Sequence, residues 1–288
     1  MKNRKKHIND KNSIEEQILN HSSSYAVPTG KSKEEVWIEL SQKINREQIT
    51  NRKSSFSIVY KLTAAAIILI VSSIAFLYSD TKIRTGFAET SKLYLPDSSY
   101  VLLRAASSVA FNKRLWSSNR ELELDGEAFF SVKKGSNFTV KTKEGRVQVL
   151  GTKFNVISRA QSFNVACVSG KVRVSLKKNN SNVILTKGLY TKMQRSGQLS
   201  EPSEKNIDEI TGRNKGEFYF KKTDLKLVFE ELERQFNIEL EYQDIENRQF
   251  TGYFVNKNLE TALKMVCKPM ELEYTVNNRL VTIKNLSK

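Results

Sequence analysis

Residues 126–156 read GEAFFSVKKGSNFTVKTKEGRVQVLGTKFNV. Within them Phe138-x-Val140-x-Thr142 and Val147-x-Val149 place a branched or aromatic residue at every second position. That is the period of a strand with one buried face. Lys134-Gly135-Ser136 and Glu144-Gly145 separate the runs with residues that favour turns. The same texture extends outward, with turn signals at Pro96-Asp97-Ser98-Ser99, Ser169-Gly170-Lys171, Asn179-Asn180-Ser181, Lys187-Gly188 and Ser196-Gly197. Val172-x-Val174-x-Leu176 is a further alternating run. Region 85–200 therefore predicts an all-β domain, a sandwich, barrel or β-solenoid. In it Phe129, Phe154 and Val156 supply core, Gly126 and Gly151 suit bends at strand ends, and Pro96 presets a type I turn with Asp97 after it.

Five segments in order carry a resemblance. They are Leu95-Pro96-Asp97-Ser98-Ser99-x-Val101-x-Leu103, Gly126-Glu127-Ala128-Phe129-Phe130-x-Val132, Phe138-x-Val140-x-Thr142, Val147-x-Val149-x-Gly151-Thr152-x-Phe154-Asn155-Val156 and Gly170-x-Val172-x-Val174. Over about 95–175 the chain resembles the FecR family of bacterial transmembrane anti-sigma regulators. The family usually has Gly where Ser98 stands, and many members carry a longer helical cytoplasmic part. The resemblance implies two partners: an extracytoplasmic-function sigma factor bound by the cytoplasmic segment, and a TonB-dependent outer-membrane receptor signalling to the periplasmic part.

The composition, 39% hydrophobic and 27% charged over 288 residues, excludes a polytopic membrane protein, a collagen-like fibre and a wholly disordered tail. The average conceals residues 62–78, LTAAAIILIVSSIAFLY, which carry no charge. Extended back to Phe56 the run is broken only by Lys61, which can snorkel to the interface. A helix over 56–78 would be roughly 34 Å long, enough for a hydrocarbon core of about 30 Å. The alternative is a buried core helix. Residues 1–61 precede the run, so it reads as a retained anchor rather than a cleaved signal peptide. Those residues hold twelve Lys or Arg and seven carboxylates, net +5 of the chain's +16, leaving +11 beyond. The positive-inside rule then places the N-terminus in the cytoplasm and the later domains in the periplasm, on a single pass of the inner membrane. That location removes nucleic acid as a partner for the excess charge and leaves an acidic partner or the anionic envelope.

The segment 1–55 is too polar to fold alone. Ser32 followed by Glu35 forms a capping box, and Trp37, Leu40 and Ile44 fall on one face of a helix expected from about 33 to 48. This face is the expected partner-binding site; the plainer reading is a solvated juxtamembrane spacer. Ile14, Ile18 and Leu19 suggest a short helix before it, and Ser22-Ser23-Ser24 and Pro28-Thr29-Gly30 read as linker.

Sliding region 216–286 against itself by 34 residues superposes Phe220 on Phe254, Asp224 on Asn258, Leu225 on Leu259, Phe229 on Leu263, Leu232 on Val266, Phe236 on Met270 and Ile238 on Leu272. Asp224 and Asn258 are expected helix N-caps, each between strands. The region predicts a small α+β domain of two βαβ halves, with 279–284 as an extra strand, and is similar to the short signalling domain of secretins and TonB-dependent receptors. Its strand edges could accept a partner strand. Residues 201–215 read as linker. The expected fold class is thus mainly β, with a short helical N-terminal segment, one transmembrane helix, an all-β domain and this α+β domain.

The only histidines, His7 and His21, precede the span, so no His-dependent triad or His metal site is available beyond it. Cys167 and Cys267 read as buried small residues, a bridge between them being the alternative. Asp97, Asp125 and Glu127 are default candidates for glycan hydrolysis by paired carboxylates. No Walker loop, dinucleotide fingerprint or metal-ligand cluster appears. The expectation is a regulator without catalysis, metal or cofactor, against a membrane-anchored binding or scaffolding module without transcriptional output and, third, a DNA-binding protein.

Overall fold

The computed structural model describes residues 16–22, 30–48, 56–159, 162–179, 181–243 and 245–286. His7, Ile14, most of the linkers read at 22–24 and 28–30, and Asn180 lie outside them. A helical stretch α1 covers 16–22, and α2 (Lys33–Gln48) follows. The capping box forms: Glu35 N–H donates to Ser32 Oγ at 3.2 Å, and Ser32 N–H donates to Glu35 Oε2 at 2.9 Å. Helix α3 (Phe56–Leu77) is the one helix among the described residues long and apolar enough to cross a membrane, and Tyr60–Leu77 has no protein cover. A buried core helix is therefore not what this stretch forms. At its C-terminal end Asn112 Nδ2 donates to Leu77 O at 2.8 Å and Arg114 Nη1 to Phe76 O at 3.0 Å, satisfying carbonyls that a helix end leaves open.

Among the described residues thirteen strands, from β1 (Thr81–Thr85) and β2 (Ser91–Tyr94) onward to Glu204, form one curled sheet. Its organiser is β5 (Arg120–Ser131). The first half of β5 pairs with β4 (Ser107–Phe111) and, in parallel, with β6 (Phe138–Lys141). The second half pairs instead with β3 (Tyr100–Leu103) and β8 (Lys153–Arg159). The changeover falls at Gly126, so this glycine lies mid-strand rather than at the strand end its sequence context suggested. Its φ is +109°, and a Cβ there would come within 2.7 Å of the Ser107 backbone. No other residue fits. From β6 the path continues through β7 (Gly145–Val149), β10 (Lys171–Leu176) and β11 (Asn182–Thr186). From β8 it runs through β9 (Ser162–Ser169), β12 (Leu189–Lys192) and β13 (Ser203–Glu204). The curl closes over a core in which Phe130, Phe138, Phe154 and Phe163 are fully buried and Trp116 packs edge-on to Phe138 at 5.8 Å. Phe129 and Val156 are buried as expected.

The Pro96 turn closes through Ser98 N–H to Leu95 O at 2.8 Å. Ser98 takes φ +61°, the left-handed conformation that Gly adopts most readily. Residues 201–215, read from their polarity as linker, are largely ordered: β13, then α4 (Ile207–Gly212) capped by Asn206, then a 3-10 turn Arg213–Lys215.

In the C-terminal part, β14 (Glu217–Asp224), α5 (Leu225–Phe236) and β15 (Glu239–Tyr242) are followed by β16 (Gln249–Val255), α6 (Leu259–Cys267), β17 (Leu272–Asn277) and β18 (Leu280–Asn285). Asp224 and Asn258 cap the two helices, accepting from Lys226 N–H and Thr261 N–H. The halves run strand–helix–strand, but no half pairs its own strands. Instead β14 pairs with β16 across the halves, while β18, which has no counterpart, joins β15 to β17. The repeat-equivalent residues Tyr219 and Tyr253 pair directly with each other, their rings stacked at 5.5 Å.

Candidate functional site

Immediately after the Gly126 changeover the strand carries Glu127, whose exposure is 0%. A lone carboxylate there would be driven to its neutral form. Arg213, from the 3-10 turn after α4, grips it bidentately along one edge of the guanidinium: Nε donates to Oε1 at 2.6 Å and Nη2 to Oε2 at 2.5 Å. The same Nη2 lies 3.4 Å from Glu231 Oε1 on α5. Glu231 in turn accepts from Arg234 Nη2 at 3.1 Å and Gln235 Nε2 at 2.8 Å. Arg213 also sits over the Phe218 ring at 4.6 Å.

Further donors surround the pair. Asn155 Nδ2 reaches Glu127 Oε1 at 3.2 Å, and Glu127 N–H donates to Ser107 Oγ at 2.9 Å. Arg104 Nη2 donates to Asn214 Oδ1 at 2.6 Å, and Arg159 donates to the Ala105 and Ala106 carbonyls at 2.7 and 2.9 Å. One polar network thus joins the large sheet, the connector and the C-terminal part. Burial pushes the Glu127 carboxyl up, but the Arg213 charge and hydrogen bonds, with Arg104 and Arg159 behind them, hold it down at about 2. The Glu231 carboxyl is likewise lowered, burial being outweighed by Arg213 and Arg234. Carboxylates held ionised in this way are latches; they carry no proton to donate at neutral pH.

Asp97, Asp125 and Glu127 stand in three different settings, Glu127 being buried in its ion pair. Asp97 accepts from Ser99 N–H at 3.0 Å and from Arg120 Nε at 2.9 Å, while Asp125 lies exposed on β5. Among the described residues no group of three or more His, Cys, Asp or Glu could hold a metal ion. Cys167 and Cys267 are free and buried, their thiols pushed up by burial to about 11 and about 12. Neither is a reactive thiolate.

Trp37, Leu40 and Ile44 are 71%, 48% and 49% exposed on α2. Arg213 and Glu231 did not emerge from the sequence. The available signal was Glu127 itself, an acid inside an otherwise apolar Gly126–Phe130 run, which demands a partner somewhere.

The FecR protein family matches residues 81–173, and the FecR C-terminal family matches 217–283, together more than half of the chain. This chain belongs to the FecR family. Two crystal structures of a candidate anti-sigma factor from Parabacteroides distasonis are similar to it. One is 25% identical, with a TM-score of 0.67, covering 73% of this chain and 100% of that one. The other is 26% identical, with a TM-score of 0.65, covering 72% and 100%. No curated protein matches the sequence significantly. Within FecR terms, Glu127 and Asp97 belong to the first matched region and Glu231 to the second. Arg213 falls between the two, at the junction the network closes.

Proposed function

We propose that the chain is a single-pass inner-membrane anti-sigma regulator that relays a periplasmic signal from a TonB-dependent outer-membrane receptor to an extracytoplasmic-function sigma factor. The observation that carries this reading is the pairing of an uncovered apolar helix, α3, with an uncovered apolar face on the helix before it, in a chain of FecR family. Trp37, Leu40 and Ile44 form the sigma-binding face, since a buried Trp is a common energetic anchor in a short helix. The positive charge before the span supports a cytoplasmic N-terminus. The C-terminal domain, with its short open-edged sheets, is the receiver for the receptor. The role is one of binding, in which Asp97 and Glu127 serve as ion-pair partners.

Co-purification of the full chain from its own host tests the reading. A sigma factor is expected to accompany the wild-type chain and to be lost, by tenfold or more, with Trp37→Ala (roughly 2 kcal/mol at a hot spot). Full retention by Trp37→Ala removes the helix face from the reading. Absence of any sigma factor leaves the anchored scaffold instead. Reporter fusions after residues 50 and 288 check the topology.

A further inference from the structure

The positive charge beyond the span is concentrated in one stretch. Residues 128–200 contain fourteen Lys or Arg and a single carboxylate, Glu144, which accepts from Ser158 Oγ at 2.5 Å. On the outer face of the sheet, β7, β10 and β11 gather part of this charge around an open cleft of about 510 Å³ lined by Arg146, Arg173, Ser175, Lys177 and Asn182, with no acidic group. The register explains the grouping. Arg146 on β7 lies opposite Ser175 on β10, which lies opposite Asn182 on β11. Arg173 is two residues along β10 on the same face, a diagonal neighbour of Arg146 within reach of long side chains. Lys177 follows where β10 ends. Among the described residues no carboxylate pairs with Arg146, Arg173 or Lys177.

We infer that this cleft binds a phosphate group. Three like charges on one rim repel one another, and an anion between them relieves that repulsion. Two guanidinium forks and a lysine offer more donors than the two oxygens of a planar carboxylate can use. A tetrahedral phosphate presents enough oxygens to engage both forks and the Ser175 hydroxyl. The lining holds no aromatic ring, so a nucleobase would find no stacking platform. The group recognised is the phosphate itself, from a soluble phosphate or an anionic phospholipid headgroup.

The test uses the full chain in nanodiscs of zwitterionic lipid, titrated calorimetrically with inorganic phosphate, with succinate, and with short-chain phosphatidylglycerol and phosphatidylcholine kept below their micelle concentrations. Phosphate is expected to bind saturably and about tenfold or more tighter than succinate. Arg146→Gln with Arg173→Gln should weaken it by about tenfold or more, while the charge-matched control Lys187→Gln with Lys192→Gln should not. Both pairs of positions are surface sites, and unchanged thermal unfolding verifies that the fold persists. Tighter binding of phosphatidylglycerol than of inorganic phosphate assigns the ligand to the membrane surface; the reverse order assigns it to a soluble phosphate. Equal binding of succinate, no saturable phosphate binding, or a double variant no weaker than the control would overturn the inference.

Discussion

Two carboxylate–arginine pairs each have one member on β5, and they differ in reach. Asp97 and Arg120 close the Pro96 turn onto the start of β5; Arg120 also holds the Ser136 and Lys133 carbonyls at 2.6 and 3.1 Å, all within the same domain. Glu127 lies further along the same strand, and its partner Arg213 ties the sheet to the connector and, through Glu231, to α5. Identical chemistry therefore does two jobs. Breaking the first is expected to loosen a turn; breaking the second, to loosen the large sheet from the connector and α5.

The largest effect is expected from Glu127→Ala, which leaves the Arg213 guanidinium buried beside one acid instead of two. Removing one member of a buried pair costs about 3–5 kcal/mol, read by urea unfolding. Limited proteolysis should then cut within 201–215, where the wild-type chain is expected to resist. Glu127→Ala combined with Arg213→Ala should cost less than the two single changes added, because no charge is left stranded. Additive losses would mean that the pair is not coupled.

Acid should separate the two pairs from the rest of the fold next. The Glu127 carboxyl sits at about 2 in the folded chain, below the ordinary range, so its stabilisation is complete above roughly pH 4.5 and is lost as pH falls toward 2. Asp97 is also lowered, its hydrogen bonds from Ser99 and Arg120 outweighing burial, and contributes in the same direction. Domain uncoupling, followed by small-angle scattering between pH 5 and 2 (roughly the carboxylate window), is expected to track the loss of Glu127. Separation that begins near neutral pH would contradict this.

Smaller effects should distinguish the local pair. Asp97→Asn is partly exposed and is expected to cost about 1 kcal/mol without exposing 201–215 to protease. Smallest is Ser98→Gly, which relieves the left-handed serine and should stabilise by about 0.5 kcal/mol after the added chain entropy, a shift measurable in the thermal midpoint. A destabilised Ser98→Gly would show that the turn's hydrogen bonds already compensate that conformation.

Much of the fold was legible because its determinants are local. The Phe138 and Val147 alternations, the Ser32–Glu35 capping box, the Asp224 and Asn258 caps and the 34-residue repeat each specify their elements within a few residues. What escaped depends on contacts distant in sequence. Gly126 looks like a strand terminus in isolation; only the arrival of Ser107 and the exchange of β4 for β3 make it the middle of a strand. Residues 201–215 look like linker because a short helix on the surface needs few apolar residues, and the one that matters, Arg213, is polar. The pairing of Glu127 with Arg213 across 86 positions leaves no periodic trace. The face carrying Trp37, Leu40 and Ile44 was legible as an amphipathic pattern, and in the structure it is exposed.

The direct pairing of Tyr219 with Tyr253 has a consequence for how the C-terminal domain holds together. A residue that meets its own repeat equivalent is the signature of an isologous contact, the kind that joins two identical subunits about a two-fold axis. Here both subunits are supplied by one chain, so the contact forms at the effective concentration of a short tether rather than that of a second molecule. Dilution cannot dissociate it. The unrepeated β18 then breaks the symmetry, giving a domain whose two ends present different surfaces although its halves share one plan.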